Sequence, residues 1–320
     1  MKHILIAGIS GAIGHALAEH YLGRDQQLQI IGLCRDPAAV SFDPAVADRV
    51  SLVAWDAAYA KDPGGTGSEI ARVLAADEGL DLVIYAAGFL HGAGIQPEKR
   101  LEDLNAEALA HAFAVNATGF AILMRAIAPW LRHRRFKIVA AVSAKVGSIE
   151  DNGFGGWYAY RASKAALNML LKTSAIEYQR SLPGLRFIAF HPGTTDTPLS
   201  EPFQRSVPEG KLFTPKYVAQ CLLQRLDEAA AEADGRVPVV AEVKPTSPTT
   251  AGRNEADPVA LALPVTALVN AAMSLPFALR ALIPAIRDVS EPYGRLSESL
   301  GIGGWTRFRL VTLPRIRRPL

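Results

Sequence analysis

The chain is poor in cysteine, with two in 320 residues, and Cys34 and Cys221 lie too far apart to make a metal-binding or redox pair. Nothing in that usage asks for an oxidising compartment, and a reducing cytoplasm is the expected one. The seven histidines form no H-x-x-x-H or Cys/His cluster, so no metal site is expected. Charge of either sign is nearly balanced, 34 basic residues against 31 acidic, and no basic run with interleaved aromatics appears before the extreme C-terminus. Nucleic acid is therefore not an expected partner. The apolar run near the N-terminus is short and broken by glycines, with His15, Glu19 and His20 following, and does not read as a signal peptide.

What the chain does have is regular alternation. Short apolar runs at Ile4 to Ala7, Leu28 to Leu33, Val50 to Ala54, Leu82 to Tyr85, Phe136 to Val142 and Leu185 to Phe190 read as strands, separated by segments with helical spacing. A further strand is expected within 235–243. This order predicts an α/β fold, a doubly wound, Rossmann-like parallel sheet with helices on both faces. Ligands of such sheets bind outside the carboxyl ends of the strands, and the chemistry-bearing residues fall there.

After the first strand comes Gly8-Ile9-Ser10-Gly11-Ala12-Ile13-Gly14, a turn that opens a helix. Glycines let backbone approach phosphate oxygens, and the helix start offers unpaired N–H groups. Its G-x-x-G-x-x-G spacing alone is a weak signal that a tight strand-to-helix turn would also give. At the end of the second strand, Cys34 stands where an acid would bind a ribose 2′-hydroxyl. The adjacent Arg35 suits a 2′-phosphate. NADP(H) is favoured, while Asp36 leaves NAD(H) open. Asp56 follows the third strand, where it could accept from an adenine amino group, and Ala87-Gly88 follow the fourth, where small residues let the chain pass close to a cofactor.

The most informative stretch runs from Ser143 to Lys164 and leads into a helical segment, so that Tyr160 and Lys164 lie at i, i+4 on one face. A free tyrosine is a poor acid or base at neutral pH, and a neighbouring ammonium would bring its pKa toward the working range. Alone, such a pair is usually an ordinary surface contact; its place after the fifth strand and a glycine-rich loop gives it weight.

With the glycine turn, Asp56, Ala87-Gly88, Asn116 in Val115-Asn116-Ala117-Thr118-Gly119, the Tyr160/Lys164 pair and His191-Pro192-Gly193-Thr194-Thr195-Asp196-Thr197 in order, the chain resembles a short-chain dehydrogenase/reductase. Val146-Gly147-Ser148-Ile149 and Gly155-Gly156-Trp157-Tyr158 are similar to its C-factor-like branch. The resemblance spans roughly residues 1 to 235. It implies that Gly8, Ser10, Gly11, Ile13, Gly14, Arg35, Asp56, Ala87, Gly88, Pro192, Gly193, Thr195 and Thr197 hold the cofactor. Tyr160 would protonate a carbonyl oxygen, and Lys164 would lower the tyrosine pKa and hold the nicotinamide ribose. Asn116 would link Lys164 to a water. The implied substrate is a small carbonyl or alcohol compound.

Two departures stand out. The family's Asn-Asn-Ala-Gly is Tyr85-Ala86-Ala87-Gly88 here, which removes an amide that steadies the central strand. The serine that usually binds the substrate carbonyl falls on Ala144, counting back from Gly147. Ser143 is the expected replacement, with Ser148 or Lys145 as alternatives, and a catalytically weak cofactor-binding sensor is the competing class. Leu199, Phe203, Val207 and Phe213 read as an apolar lid or as core.

The pattern changes near the C-terminus. Residues 1–243 are taken as the dinucleotide-binding domain and 244–320 as an atypical extension. Residues 236–320 carry 11 basic against 6 acidic residues and 10 of the 21 prolines. Val259 to Leu279 lack formal charge and are long enough to cross a bilayer, but Asn270, two prolines and many alanines make a poor spanning helix. A packed extension or oligomer contact is preferred, membrane-surface contact through 259–318 comes second, and a frameshifted segment without a role is the bland alternative. A homo-oligomer is expected.

Overall fold

The structure, a computed structural model, describes residues 2–59, 63–75, 77–92, 94–231 and 242–243. The expected extension, 244–320, and its membrane-facing reading lie outside the described residues. Strands β1 (His3–Ala7), β2 (Gln29–Cys34), β3 (Val50–Ala54), β4 (Leu82–Tyr85), β5 (Lys137–Val142) and β6 (Leu185–Phe190) match the expected runs to within a residue at either end. Two short strands, β7 (Thr194–Thr195) and β8 (Leu212–Phe213), pair with each other, and β9 (Glu242–Val243) joins β6 opposite Ala189 and Phe190. The main sheet is seven-stranded and parallel, in the order β3-β2-β1-β4-β5-β6-β9.

Both faces of the sheet are covered, which explains why its strands read as continuous apolar runs. Alternate residues serve different layers. Leu5, Ala7, Val83, Tyr85, Val139 and Ala141 meet the layer of α2 (Pro63–Ala71), α4 (Gly119–Ile127) and α5 (Tyr158–Ser181). Ile4, Ile6, Leu82, Ile84, Ile138 and Ala140 meet α1 (Ala12–Arg24) and α6 (Pro215–Ala231). The remaining helix, α3 (Ala106–Phe113), is capped by Asn105, whose Oδ1 accepts from Glu107 N and Ala108 N at 2.9 and 3.0 Å. A π-turn, Ala114–Thr118, joins α3 to α4. The helical run 106–131 is long and apolar enough to cross a membrane, but half of its apolar window is buried inside the fold. Its apolar character is used against the sheet.

Candidate active site

The glycine turn is closed by its neighbours. Gly8 has φ +86°, and a Cβ on it would stand 2.7 Å from Ala87 N. A Cβ on Gly14 would run into the Gly8 carbonyl oxygen. The turn is therefore built for bare backbone pressed against the end of β4. Gly11 is the N-cap of α1 and no side chain caps that first turn. Ser10 and Gly11 are exposed and Ile13 is half-buried. Open amides at a positive helix end, with no side chain in the way, fit a pyrophosphate.

At the end of β2, Cys34 is buried and burial pushes its thiol up, so it stays neutral. Asp36 accepts from Ala38 N at 3.0 Å and caps the short turn Pro37–Ala39. Arg35 is exposed, and its guanidinium makes no hydrogen bond or ion pair with the described residues. Asp56 is half-buried after β3 and holds Ala58 N at 2.9 Å.

The second cluster forms where α5, the π-turn and the loop after β4 meet. Asn116 is fully buried: Oδ1 accepts from Phe89 N at 2.8 Å, and Nδ2 donates to Phe89 O at 2.8 Å and Ser163 Oγ at 2.9 Å. Ser163 Oγ in turn donates to Tyr160 O at 3.0 Å. A strap thus runs from the β4 loop through Asn116 to the first turn of α5. The Asn116 side chain makes these three hydrogen bonds and none to Lys164 among the described residues, so the link expected from the sequence is not formed directly by it. A π-turn is the local irregularity that puts Asn116 there. Tyr85 supports it: its hydroxyl, buried behind Trp55 and Phe120, donates to Val115 O at 2.5 Å. The tyrosine that replaced the family's asparagine therefore ties β4 to the turn carrying Asn116.

Lys164 is buried, donates to Val142 O at 2.9 Å and stands 5.7 Å over the Tyr160 ring. A Cβ at Gly88 would lie 3.7 Å from both Lys164 Nζ and Asn116 Oδ1. Gly88, Asn116, Tyr160 and Lys164 therefore share one site. The electrostatics differ from expectation. Burial raises Tyr160 to about 12 and lowers Lys164 to about 8. Drawn toward the strand carbonyl and over the ring, the ammonium does not bring the phenol down in this arrangement.

Ser143 sends its hydroxyl to Asn168 Oδ1 at 2.6 Å. The parity of β5 explains this: Val139, Ala141 and Ser143 point toward α5, where Asn168 lies one turn beyond Lys164. Ser148 Oγ accepts from Asp151 N at 3.3 Å, and Lys145 pairs with Asp151 at 3.1 Å. None of the three makes a hydrogen bond to Tyr160 among the described residues.

Past β6, Pro192 is buried and Gly193 has φ +70°. Thr195 Oγ1 is buried without a hydrogen-bond partner among the described residues, and Thr197 Oγ1 donates to Thr195 O at 3.3 Å. An orphaned hydroxyl here suits a polar ligand such as a carboxamide. The expected lid divides. Leu199, Phe203 and Val207 are half-buried, whereas Phe213 lies in the core against Tyr217, because β8 carries it under the sheet.

Sequence reasoning gave Glu98 no role and Trp157 none beyond its place in the Gly155-Gly156-Trp157-Tyr158 motif. Trp157 starts α5 in the left-handed region, φ 52° and ψ 45°, and supplies no side-chain cap. Glu98 does so from a distant loop: buried, it accepts from Ala159 N through Oε2 at 3.2 Å and from Trp157 N through its backbone oxygen at 2.5 Å. The two left-handed glycines before Trp157 were the visible signal of a special turn.

A doubly wound sheet with this cradle defines the dinucleotide-binding class of α/β proteins. Within it, residues 2–207 match the short chain dehydrogenase family, and the chain belongs to that family of oxidoreductases. It is 29% identical over 238 residues to the 1-hydroxy-2-glutathionyl-2-methyl-3-butene dehydrogenase of Rhodococcus sp. (strain AD45), covering 74% of this chain and 95% of that one. It is 35% identical over 102 residues to the C-signal of Myxococcus xanthus, covering 32% of this chain and 60% of the other, less than two thirds of its length. A short-chain dehydrogenase/reductase from Burkholderia multivorans with bound NADP has the same fold, with TM-score 0.59 and 21% identity over 76% of this chain and 96% of that one. A separate likeness, 43% identical over 67 residues, is to the thiamine transport system permease protein ThiP of Brucella abortus; it covers 21% of this chain and 12% of that protein. Among the described residues there is no group of three His, Cys, Asp or Glu side chains that could hold a metal.

Proposed function

We propose that the chain interconverts a carbonyl and an alcohol with NADP(H), Tyr160 carrying the proton. The observation that supports this reading is the meeting of Gly88, Asn116, Tyr160 and Lys164 at the carboxyl ends of a sheet whose glycine turn suits a pyrophosphate. A bound nicotinamide would supply or take the hydride. Gly8, Ser10, Gly11, Ile13 and Gly14 would hold its pyrophosphate, Arg35 the 2′-phosphate and Asp56 the adenine. Ala87, Pro192, Gly193, Thr195 and Thr197 would hold the nicotinamide end. Lys164 spends one donor on Val142 O, leaving two for the phenol and a ribose. A phenol raised to about 12 keeps its proton at neutral pH, so Tyr160 has a proton to give to a carbonyl oxygen. Ser143, if it serves the carbonyl, must release Asn168 first. Loss of NADPH absorbance with a panel of aldehydes and ketones, in wild type and Tyr160→Phe, tests the reading. Equal rates in the two would refute it.

A cofactor-dependent sensor draws on Ala144 and on the engaged Ser143 hydroxyl. Calorimetric binding of NADPH with no turnover of any carbonyl would favour it. The proposal also takes 1–243 as the catalytic domain, 244–320 as an added segment, and the protein as a cytoplasmic homo-oligomer, whose mass light scattering would give.

A further inference from the structure

A closed circuit of side chains surrounds the reactive pair. Trp157 packs edge-on against Tyr160 with ring centroids 6.2 Å apart, and its other side meets Phe203 at 4.9 Å. Phe203 meets His91 at 5.6 Å, and His91 Nε2 bonds to Leu199 O at 3.1 Å. Leu199 Cδ1 lies 3.9 Å from where a Gly88 Cβ would stand, and that position is 3.7 Å from Lys164 Nζ. Lys164 completes the circuit over the Tyr160 ring at 5.7 Å. The segments involved come from the β4 loop, the start of α5 and the loop after β7.

The chemistry of the collar is one-sided. Apart from Lys164 and the imidazole of His91 it carries no ionisable side chain, and Trp157, Phe203 and His91 are each half-buried. A carboxylate on the far end of a substrate whose carbonyl lies at Tyr160 and Lys164 would be desolvated against the aromatic rings of Trp157 and Phe203. A flat apolar group would stack there. A second observation points to Trp157. It is the one described non-glycine residue with positive φ, after two glycines that hold such angles without strain. Placing a tryptophan there costs on the order of 1 kcal/mol of backbone strain. The fold retains a large indole beside Tyr160 where glycine would be easier.

We propose that Trp157, Phe203 and His91 form a specificity wall that selects uncharged aromatic aldehydes and ketones over flexible aliphatic and acidic ones. This rests on the carbonyl-reducing reading. In the reaction the carbonyl carbon gains the hydride of NADPH and the oxygen gains the Tyr160 proton, so that an alcohol and NADP+ leave; solvent returns the proton to the phenolate. One aromatic wall residue is worth about tenfold in discrimination at most.

The test is kcat/KM with NADPH for benzaldehyde, hexanal and 4-carboxybenzaldehyde in wild type, Trp157→Ala, Trp157→Phe and Tyr160→Phe, each checked for its melting transition. The expected result is a wild-type preference for benzaldehyde of about tenfold over both others. Trp157→Ala removes most of it through KM, and Trp157→Phe restores it. Turnover abolished by Tyr160→Phe but showing no aromatic preference would overturn the wall and leave the reading intact. So would an equal loss for all three substrates in Trp157→Ala, which marks a structural role only. If no carbonyl is turned over, the reading fails, and binding decides the wall: saturable calorimetric binding of benzyl alcohol, absent with hexanol and lost in Trp157→Ala, supports it. Equal binding of both alcohols overturns it.

Discussion

Replacing Lys164 by methionine should stabilise the protein at neutral pH while abolishing its chemistry. Lys164 is 2% exposed and has no acidic partner among the described residues, so burial lowers it from 10.5 to about 8. At roughly 1.4 kcal/mol per pH unit that displacement is a penalty of about 3 kcal/mol on the folded state wherever the lysine is charged. Methionine fills similar space without a charge. It also loses the bond to Val142 O, which is worth about 1 to 2 kcal/mol. The net expectation is a gain of about 1 to 2 kcal/mol at pH 7. The pH dependence has a definite sign. The unfolded chain keeps this proton up to 10.5 and the folded chain only to about 8, so the wild type gains stability between those values as pH rises. The advantage of the variant should be constant below about 8, shrink across that window and reverse above it, where the neutral amine still donates to Val142. Urea midpoints of both proteins without cofactor, from pH 6 to pH 11, would measure the difference, from which other titrating groups cancel. A variant that is less stable at pH 7, or a gap that does not move with pH, would refute the reasoning.

Glu98→Ala should lower the melting temperature by the equivalent of about 1 to 2 kcal/mol, because Ala159 N loses its acceptor. Glu98→Gln, whose amide oxygen can still accept, should restore most of it. Asn116→Ala leaves both backbone groups of Phe89 and the Ser163 hydroxyl short of a partner. It should cost about 2 to 4 kcal/mol in denaturant unfolding. Asn116→Asp should not rescue, since a carboxylate cannot donate to Phe89 O. Arg35→Ala should cut the ratio of kcat/KM for NADPH over NADH by about tenfold or more; an unchanged ratio would remove Arg35 from the cofactor site.

The six strands before residue 191 and the glycine turn were legible because they depend on local patterns: short apolar runs, each followed by a turn or helix start. The Tyr160/Lys164 face was legible for the same reason. What was hidden came from tertiary approach. Glu98 caps α5 across 61 positions of sequence, and no spacing rule reaches that far. The π-turn at Asn116 left no mark beyond an asparagine in a helical run. Ser143 could have been oriented in advance, since its parity with Val139 and Ala141 sends it toward α5. Phe213 read equally as lid or as core, and β8 places it in the core. The lowered phenol pKa was inferred from adjacency, whereas the position of Nζ depends on which acceptor claims it, here Val142 O.

The contact between Gly8 and the Ala86-Ala87 backbone makes two turns, distant in sequence, share one wall. Each acts as a gauge for the other: a methyl group added on one side would be registered on the opposite side as displaced main chain. The two halves of a dinucleotide cleft therefore cannot drift independently, and a viable change in one turn calls for a matched change in the other. In a collection of related sequences, position 8 should stay glycine even where neighbouring positions vary freely, because any Cβ there meets the main chain of residues 86 and 87 whatever side chains those carry.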